Sequence, residues 1–284
     1  MVQRSLLYCP GDDREILEKA IETPADTVIF DLEDAIAPDS KAAARRTVQR
    51  MLDSLDEPVP NISVRINPYD RSGREDVDAV VGAVNSPPDS VVLPKVESAE
   101  SVEALRDHLA DLGAVGVDII PLIETAAGIV AAEEIAAAPG VEAIAYGDQD
   151  FTADIGATVT DDKSESLYAR QRVVVAASAA GVDALDTVYT DIEDAEGLRA
   201  QTETVVEFGF DGKLAIHPDQ IRVINEAYTP GPDEIDWAER VLEGKRVADE
   251  EGSGVFTVDG QMIDPPLVER ANTILDRAAA AGIR

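Results

Sequence analysis

The chain has 284 residues, 45% of them hydrophobic, and carries 57 acidic against 24 basic residues for a formal charge of −33. That charge disfavours nucleic acid and anionic membrane surfaces as partners. A single cysteine and two distant histidines, His108 and His217, exclude an internal disulfide and a standard zinc constellation. Apolar stretches are interrupted within a few residues, and the chain enters the strand-like run Arg4-Ser-Leu-Leu-Tyr-Cys9 without a basic region or cleavage site. The expectation is a soluble cytoplasmic protein. Lysine is nearly absent while acids recur on almost every expected helix surface, a balance expected of an extreme halophile, where concentrated salt screens the self-repulsion.

Hydrophobic periodicity predicts strands near residues 4–8, 27–31, 61–66, 90–93, 118–123, 141–146, 183–187 and 212–216, with amphipathic segments between nearly all of them. Cys9, at the end of the first, reads as a small buried residue rather than a nucleophile. Helix starts are marked by Asp12-Asp-Arg14, by Pro38-Asp-Ser40 and by Ser98-Ala-Glu-Ser101. Strand and helix alternating eight times predict an α/β fold, a (β/α)8 TIM barrel over residues 1–228, with a doubly wound open sheet as the lesser alternative. No Gly-x-Gly-x-x-Gly follows the first strand and no Gly-x-x-x-x-Gly-Lys run occurs, which weakens the dinucleotide and P-loop folds.

After residue 228 the pattern changes. Thr229-Pro-Gly-Pro-Asp233 introduces a helix, Gly252-Ser-Gly254 starts a hairpin-like Val255–Ile263 with Asp259-Gly260 as its turn, and Pro265-Pro266 starts a last helix. This helix-hairpin-helix extension, 229–284, is too short to build its own core. It is expected to pack on a barrel, its own or a neighbour's, as a lid or oligomerisation element.

Two acids stand out. Glu124 in Pro121-Leu-Ile-Glu-Thr125 and Asp150 in Tyr146-Gly-Asp-Gln-Asp-Phe151 each follow a buried strand, the rim where barrel chemistry collects. From the residues alone two readings stand: helix caps and first-turn acids, or hard oxygen ligands for Mg2+, or Mn2+ in its place, that keep water and open positions for a substrate. Asp31, Glu33 and Asp34 cluster at the end of the second strand, too densely to be caps at once. Arg65 at the end of the third strand is either an ion-pair partner or a permanent cation for a reacting oxygen. Lys95 reads as an ion-pair partner rather than an imine former, His217 as an orienting group, and His108 as a solvated surface residue. Asp186 and Asp191 flank a loop where capping and substrate contact are not separable.

The segments Arg4-Ser-Leu-Leu7 with Pro10-Gly11, Asp31-Leu-Glu-Asp-Ala35, Val64-Arg-Ile-Asn67, Leu93-Pro-Lys-Val-Glu97, Leu122-Ile-Glu-Thr-Ala126, Gly147 to Phe151 with Asp154-Ile-Gly156, Ala215-Ile-His-Pro218 and Gly260-Gln-Met-Ile-Asp-Pro265 run in order along almost the whole chain. Together they resemble the citrate lyase β-subunit-like family, whose relatives include malyl-CoA, β-methylmalyl-CoA and citramalyl-CoA lyases. The resemblance implies a barrel, commonly trimeric, that binds Mg2+ and a CoA thioester. It makes Glu124 and Asp150 the metal ligands, Arg65 the cation beside the reacting oxygens, Glu33 and Asp34 the residues that hold metal waters and orient Arg65, and Asp264 an acid/base delivered by the extension. Asp264 also reads as a cap of the last helix. Relatives often have Pro-Gly-Asp-Arg-Pro-Glu after the first strand, whereas here the arginine is displaced one place, to Arg14. Lys19 is therefore the better candidate than Arg14 for a CoA phosphate.

The implied reaction is a retro-Claisen cleavage of a malyl-CoA-type 3-hydroxyacyl-CoA into an acyl-CoA and a small 2-oxo acid such as glyoxylate. Rivals are a citramalyl-CoA lyase, a malyl-CoA thioesterase, a citrate lyase β-subunit with partner subunits, and a pyruvate-type class II aldolase without CoA. A non-enzymatic scaffold leaves the clustered strand-end acids unexplained.

Because surface repulsion acts on the whole chain, helical circular dichroism should be lost below moderate KCl and recover when salt is restored. A thermal midpoint that does not move between low and molar KCl would remove the halophilic expectation.

Overall fold

Buried strands alternating with amphipathic helices close here into an eight-stranded parallel barrel. The structure, a computed structural model, describes residues 3–55, 59–160, 163–252 and 255–283. The first half comprises β1 (Ser5–Pro10), α1 (Arg14–Ile21), β2 (Thr27–Asp31), α2 (Lys41–Leu52), β3 (Asn61–Arg65), α3 (Arg74–Val77), β4 (Ser90–Leu93) and α4 (Ala99–Asp111). The second comprises β5 (Asp118–Ile123), α5 (Ala126–Val130), α6 (Ala132–Ala136), β6 (Ala143–Tyr146), α7 (Asp148–Asp154), α8 (Leu167–Ala180), β7 (Asp183–Asp186), α9 (Ala195–Phe208), β8 (Gly212–Ala215) and α10 (Pro218–Tyr228). Strands pair in sequence order and β1 closes on β8. All eight expected strands form within two residues of their expected bounds. The largest trim is at β6, where Val141 makes only an isolated bridge to Ile119.

Alternation along each strand decides which side chains reach the site. Leu6, Ile29, Val92, Ile120, Leu122, Ala145, Leu185 and Leu214 form one buried cluster. Two residues beyond Leu6, Ile29 and Leu122 on the same face come Tyr8, Asp31 and Glu124. On β3 the same spacing runs from Ser63, whose hydroxyl meets that of Ser90 at 2.7 Å, to Arg65. Period two alone therefore lifts these four polar groups to the carboxyl-terminal rim.

The opposite strand faces are buried as well, as parallel sheets under helices require. Lys213 of β8 is an exception in chemistry, not in burial. Fully enclosed, its ammonium donates to Asp186 Oδ2 (2.5 Å), the Thr187 carbonyl (2.8 Å) and Gln201 Oε1 (3.0 Å). Arg170 of α8 pairs with the same Asp186 at 3.1 Å. Burial holds the lysine below its ordinary range despite Asp186.

By contact density the chain separates into the unit Gln3–Ile224 and a C-terminal unit from Asn225 onward. The second contains α11 (Pro232–Glu251), β9 (Phe256–Val258), β10 (Gln261–Ile263) and α12 (Pro265–Ala280). Contrary to the expectation from its length, this extension builds an apolar core of its own. Ala238 and Val241 of α11, Ile263 of the hairpin, and Ala271, Ile274 and Leu275 of α12 pack together. Two long helices clamping a hairpin bury more than their lengths suggest. The Asp259-Gly260 turn forms with both residues left-handed, φ 50° and 81°. Ser253 and Gly254, expected to lead into it, lie outside the described residues. No helix among the described residues is long and apolar enough to cross a membrane.

Lys213→Met should lower the unfolding free energy by about 3 kcal/mol, because Asp186 then stays buried with Arg170 as its remaining cation. Urea unfolding at constant m-value measures this; a loss below about 1 kcal/mol would show that Arg170 alone neutralises Asp186.

Candidate active site

Register places Arg65 directly opposite Asp31 on the neighbouring strand. The guanidinium binds it as a fork, Nε to Oδ1 and Nη2 to Oδ2, both 2.7 Å. Asp31 also accepts the Glu33 and Ala35 amides, at 2.8 and 3.1 Å, which turns the following loop back toward the barrel. That loop brings Glu33 and Asp34 to Arg65 Nη1 at 3.2 and 3.6 Å, and the guanidinium lies 4.7 Å from the centre of the Tyr8 ring. Burial would lower the Arg65 pKa; the Asp31 bonds, Tyr8 and Glu33 outweigh it and raise it. The expected orienting role of Glu33 and Asp34 toward Arg65 has this geometry, and Asp31 is the anchor.

Across the mouth, Glu124 follows β5 and is 4% exposed. Its Oε1 accepts the Lys95 amide at 2.8 Å, made available by a left-handed Lys95 (φ 53°). The Lys95 ammonium reaches Asp150, in the first turn of α7, at 3.0 Å. One residue thus contacts both strand-end acids, as an ion-pair partner. Gly147 makes room for Glu124, since a Cβ there would lie 2.6 Å from the Glu124 Cβ and 2.8 Å from Oε2. The turn carrying Asp150 is fixed by Asp148, whose carboxylate accepts the Tyr146 hydroxyl (3.0 Å), the Lys163 ammonium (3.1 Å) and the Ser166 hydroxyl. Its amide donates to Thr187 Oγ1 at 3.1 Å. Burial alone would raise the Asp148 pKa, but the Ser166 and Lys163 bonds hold it low.

The acids are crowded. Burial and Glu33 push Glu124 up to about 8, with Asp150 adding and the Lys95 amide opposing. Burial likewise pushes Glu33 up to about 7 against the pull of Arg65. Among the described residues no three His, Cys, Asp or Glu side chains form a metal cluster. The donor set is a pair of carboxylates in surplus negative charge, which fits a hard divalent cation that retains water rather than one needing a full protein cage. Tyr8, Arg65, Glu124, Gly147, Asp150 and Thr187 line a cavity of about 100 Å³ over the pair.

A family-wide pattern matches residues 4–218, that of HpcH/HpaI aldolase/citrate lyase. The chain belongs to this family of carbon–carbon lyases. It is 36% identical to the mitochondrial citramalyl-CoA lyase of Mus musculus, over 98% of this chain and 86% of that protein. Identity is also 36% to a (3S)-malyl-CoA thioesterase of Cereibacter sphaeroides, covering 98% and 95%. Among solved structures, Mycobacterium tuberculosis CitE in complex with magnesium, acetoacetate and coenzyme A superposes with a TM-score of 0.79 at 35% identity, covering 98% of each chain.

Within this lyase fold, Arg65, Glu33, Asp34, Glu124 and Asp150 come together on the barrel. Arg14 and Lys19 sit exposed on α1, paired with Glu18 (2.6 Å) and Glu15 (2.7 Å). Asp264, in the C-terminal unit, caps α12 by accepting the Leu267 amide at 3.4 Å. His217 accepts the Asp219 amide at 3.2 Å, a local turn contact. Asp191 caps the Glu193 amide at 3.1 Å, and Asp186 is the buried partner of Lys213. Cys9 is buried with its thiol pushed up to about 12, as expected of an inert residue. His108 differs from expectation: only 15% of its side chain is exposed, Nε2 meets Asp78 at 3.0 Å, and Nδ1 is buried without a partner. Its helix face turns under Tyr69, which surface periodicity did not reveal. Missed altogether were Tyr8, Asp148, Lys163 and Thr187. Only Asp148 left a signal, as the first acid of the same Gly-Asp-Gln-Asp turn.

Gly147→Ala should cut lyase turnover at least tenfold while leaving far-UV circular dichroism unchanged, since the methyl must displace the Glu124 carboxylate. Full turnover in the alanine variant would show that Glu124 has slack the structure does not display.

Proposed function

We propose that the protein is a Mg2+-dependent acyl-CoA lyase that reversibly splits a malyl-CoA-type thioester into an acyl-CoA and a 2-oxo acid such as glyoxylate. The observation that carries the reading is the facing of a forked cation, Arg65, and a carboxylate pair, Glu124 and Asp150, across one mouth. It is supported by the relatives' names and by magnesium and coenzyme A in the superposed CitE complex.

Glu124 and Asp150 would hold Mg2+, which when bound supplies Lewis-acid polarisation for the carbonyl of a 2-oxo acid. Arg65 donates to the thioester oxygen as negative charge develops there, and Asp31 and Glu33 keep its fork aimed without reorganisation. Glu33 and Asp34 orient Arg65 and hold water at the metal side. Asp264 moves the proton at the acyl α-carbon, and its capping bond sets the carboxylate's direction. Lys19, and less directly Arg14, take a CoA phosphate by exchanging their glutamate partners for it. The assembly is a homotrimer.

The test incubates purified protein and Mg2+ with malyl-CoA, β-methylmalyl-CoA and citramalyl-CoA and identifies products by mass. Glyoxylate with acyl-CoA is expected. Pyruvate instead would make the protein a citramalyl-CoA lyase, and free CoA with malate a thioesterase. Asp264→Asn should keep the α12 cap and the fold, because asparagine caps as well as aspartate. It should nonetheless abolish deuterium exchange at the acyl-CoA α-carbon, and normal exchange would leave Asp264 a cap alone.

A further inference from the structure

The hydroxyls of Tyr69, Tyr146 and Tyr189 each donate to a protein oxygen, of Ala104, Asp148 and Asp194, at 3.0, 3.0 and 2.7 Å. Tyr8 is different. Its hydroxyl is buried and, among the described residues, meets no hydrogen-bond partner. Burying a donor unpaired costs free energy, so the group calls for a use beyond packing.

Period two along β1 raises Tyr8 from the same face as Leu6, and its ring packs on the apolar cluster that fills the barrel beneath the rim. The Arg65 guanidinium covers the ring, 4.7 Å from its centre. Held between core and cation, the ring fixes where the hydroxyl ends. Arg65, Asp31, Glu124 and Glu33 all act on it electrostatically. Arg65 and Asp31 come from β3 and β2, whereas Glu124 follows β5, which stands opposite β1 in the closed barrel. A side chain rooted on β1 that feels all of them reaches inward to the middle of the mouth. Tyr8 accordingly lines the cavity over the carboxylate pair together with Arg65 and Glu124. Burial raises its pKa against the pull of Arg65, and the three carboxylates add to the rise, so the hydroxyl keeps its proton and serves as a donor.

A donor is what this mouth lacks. Of the N–H groups of Arg65, Nε and one on Nη2 go to Asp31, and Nη1 faces Glu33 at 3.2 Å and Asp34 at 3.6 Å. These contacts leave the second Nη2 N–H for a substrate oxygen. An oxygen that gains negative charge in a reaction is stabilised by several fixed donors aimed at it together. In the function proposed above, the 2-oxo acid oxygens go to the metal side and the thioester oxygen goes to Arg65. The donor that lies against Arg65 belongs with the oxygen that Arg65 serves.

We infer that Tyr8 is a further catalytic residue, whose hydroxyl donates to the thioester oxygen beside Arg65, so that the two together receive the charge of the enolate. The inference rests on the function proposed above.

Infrared difference spectroscopy of acetyl-CoA, isotope-labelled at the thioester carbonyl and bound to the full chain with Mg2+, tests it. Acetyl-CoA is the acyl product of both malyl-CoA and citramalyl-CoA cleavage. Bound to the wild type, its carbonyl stretch should lie below the free value, and in Tyr8→Phe it should return by roughly a third or more of that shift. Tyr8→Phe keeps the ring under Arg65 and removes an unpaired buried hydroxyl, so its thermal midpoint should equal or exceed that of the wild type. Its kcat for thioester cleavage should fall about tenfold or more with KM within about twofold, the mark of an interaction made in the transition state. A stretch that stays at the wild-type position, a loss confined to KM, or a lowered midpoint that makes the hydroxyl structural overturns the inference. Arg65→Lys separates this failure from that of the lyase reading. If Arg65→Lys moves the stretch and Tyr8→Phe does not, the lyase reading stands and Tyr8 is only a packing residue. If the wild type binds no acetyl-CoA, or leaves its stretch at the free value, the lyase reading falls and the inference with it.

Discussion

Crowding of like charge at the barrel mouth is the constraint on which the rest depends. Asp31, Glu33, Asp34, Glu124 and Asp150 are opposed there by the side-chain cations Arg65 and Lys95. Burial does most to raise the pKa values of Glu33 and Glu124, and the neighbouring carboxylates add to it. A fold selected for stability alone would neutralise these acids or expose them. Here the chain instead invests in supports: Asp31 locks Arg65, the Lys95 amide locks Glu124, and Asp148 locks the turn that carries Asp150. The unbalanced charge remains, fixed in place, as a demand for a cation.

The supports explain why this site belongs to a barrel. Asp31, Arg65 and Glu124 are presented by adjacent or nearby strands whose register is set by the closed sheet, so their spacing cannot drift without breaking the core beneath. Asp150 is the exception, sitting on a short helix after β6 with its side chain 46% exposed. It is held indirectly, through Asp148 to Tyr146, Ser166, Lys163 and Thr187. The Thr187 carbonyl in turn accepts from Lys213. A buried ion cluster behind β7 and β8 thereby stiffens the most exposed of the strand-end ligand candidates.

The barrel was legible because period-two burial and helix starts are local signals, and the strand-end acids were legible because the same periodicity says where strands stop. What stayed hidden is three-dimensional. Nothing in Gly212-Lys-Leu-Ala215 says that Lys213 is enclosed, since its partners come from β7, the loop after it and α9. Nothing near His108 places it under Tyr69. The core of the extension is hidden for a related reason: its length alone allows little burial, yet the long helices α11 and α12 pack on each other and on a hairpin. Tyr8, an aromatic at a strand end, reads as core, and its contact with Arg65 depends on which strands are neighbours.

The rigid half of the mouth and the adaptable half have different consequences for specificity. Arg65, Glu124 and their supports are set by strands, and a change there would cost the core as well as the chemistry. The segment after β3 is different, because its path is fixed by Gly73, Asn67 and Asp76 while Tyr69, Arg71 and Arg74 project from it without bearing on the sheet. Side chains of that kind can change without disturbing the catalytic register. Relatives bearing the names citramalyl-CoA lyase and malyl-CoA thioesterase stand at equal identity to this chain, 36%, so overall identity does not separate one activity from the other. In a barrel whose strand ends are tied to the core, the residues that distinguish one activity from another are to be sought on the loops around the mouth.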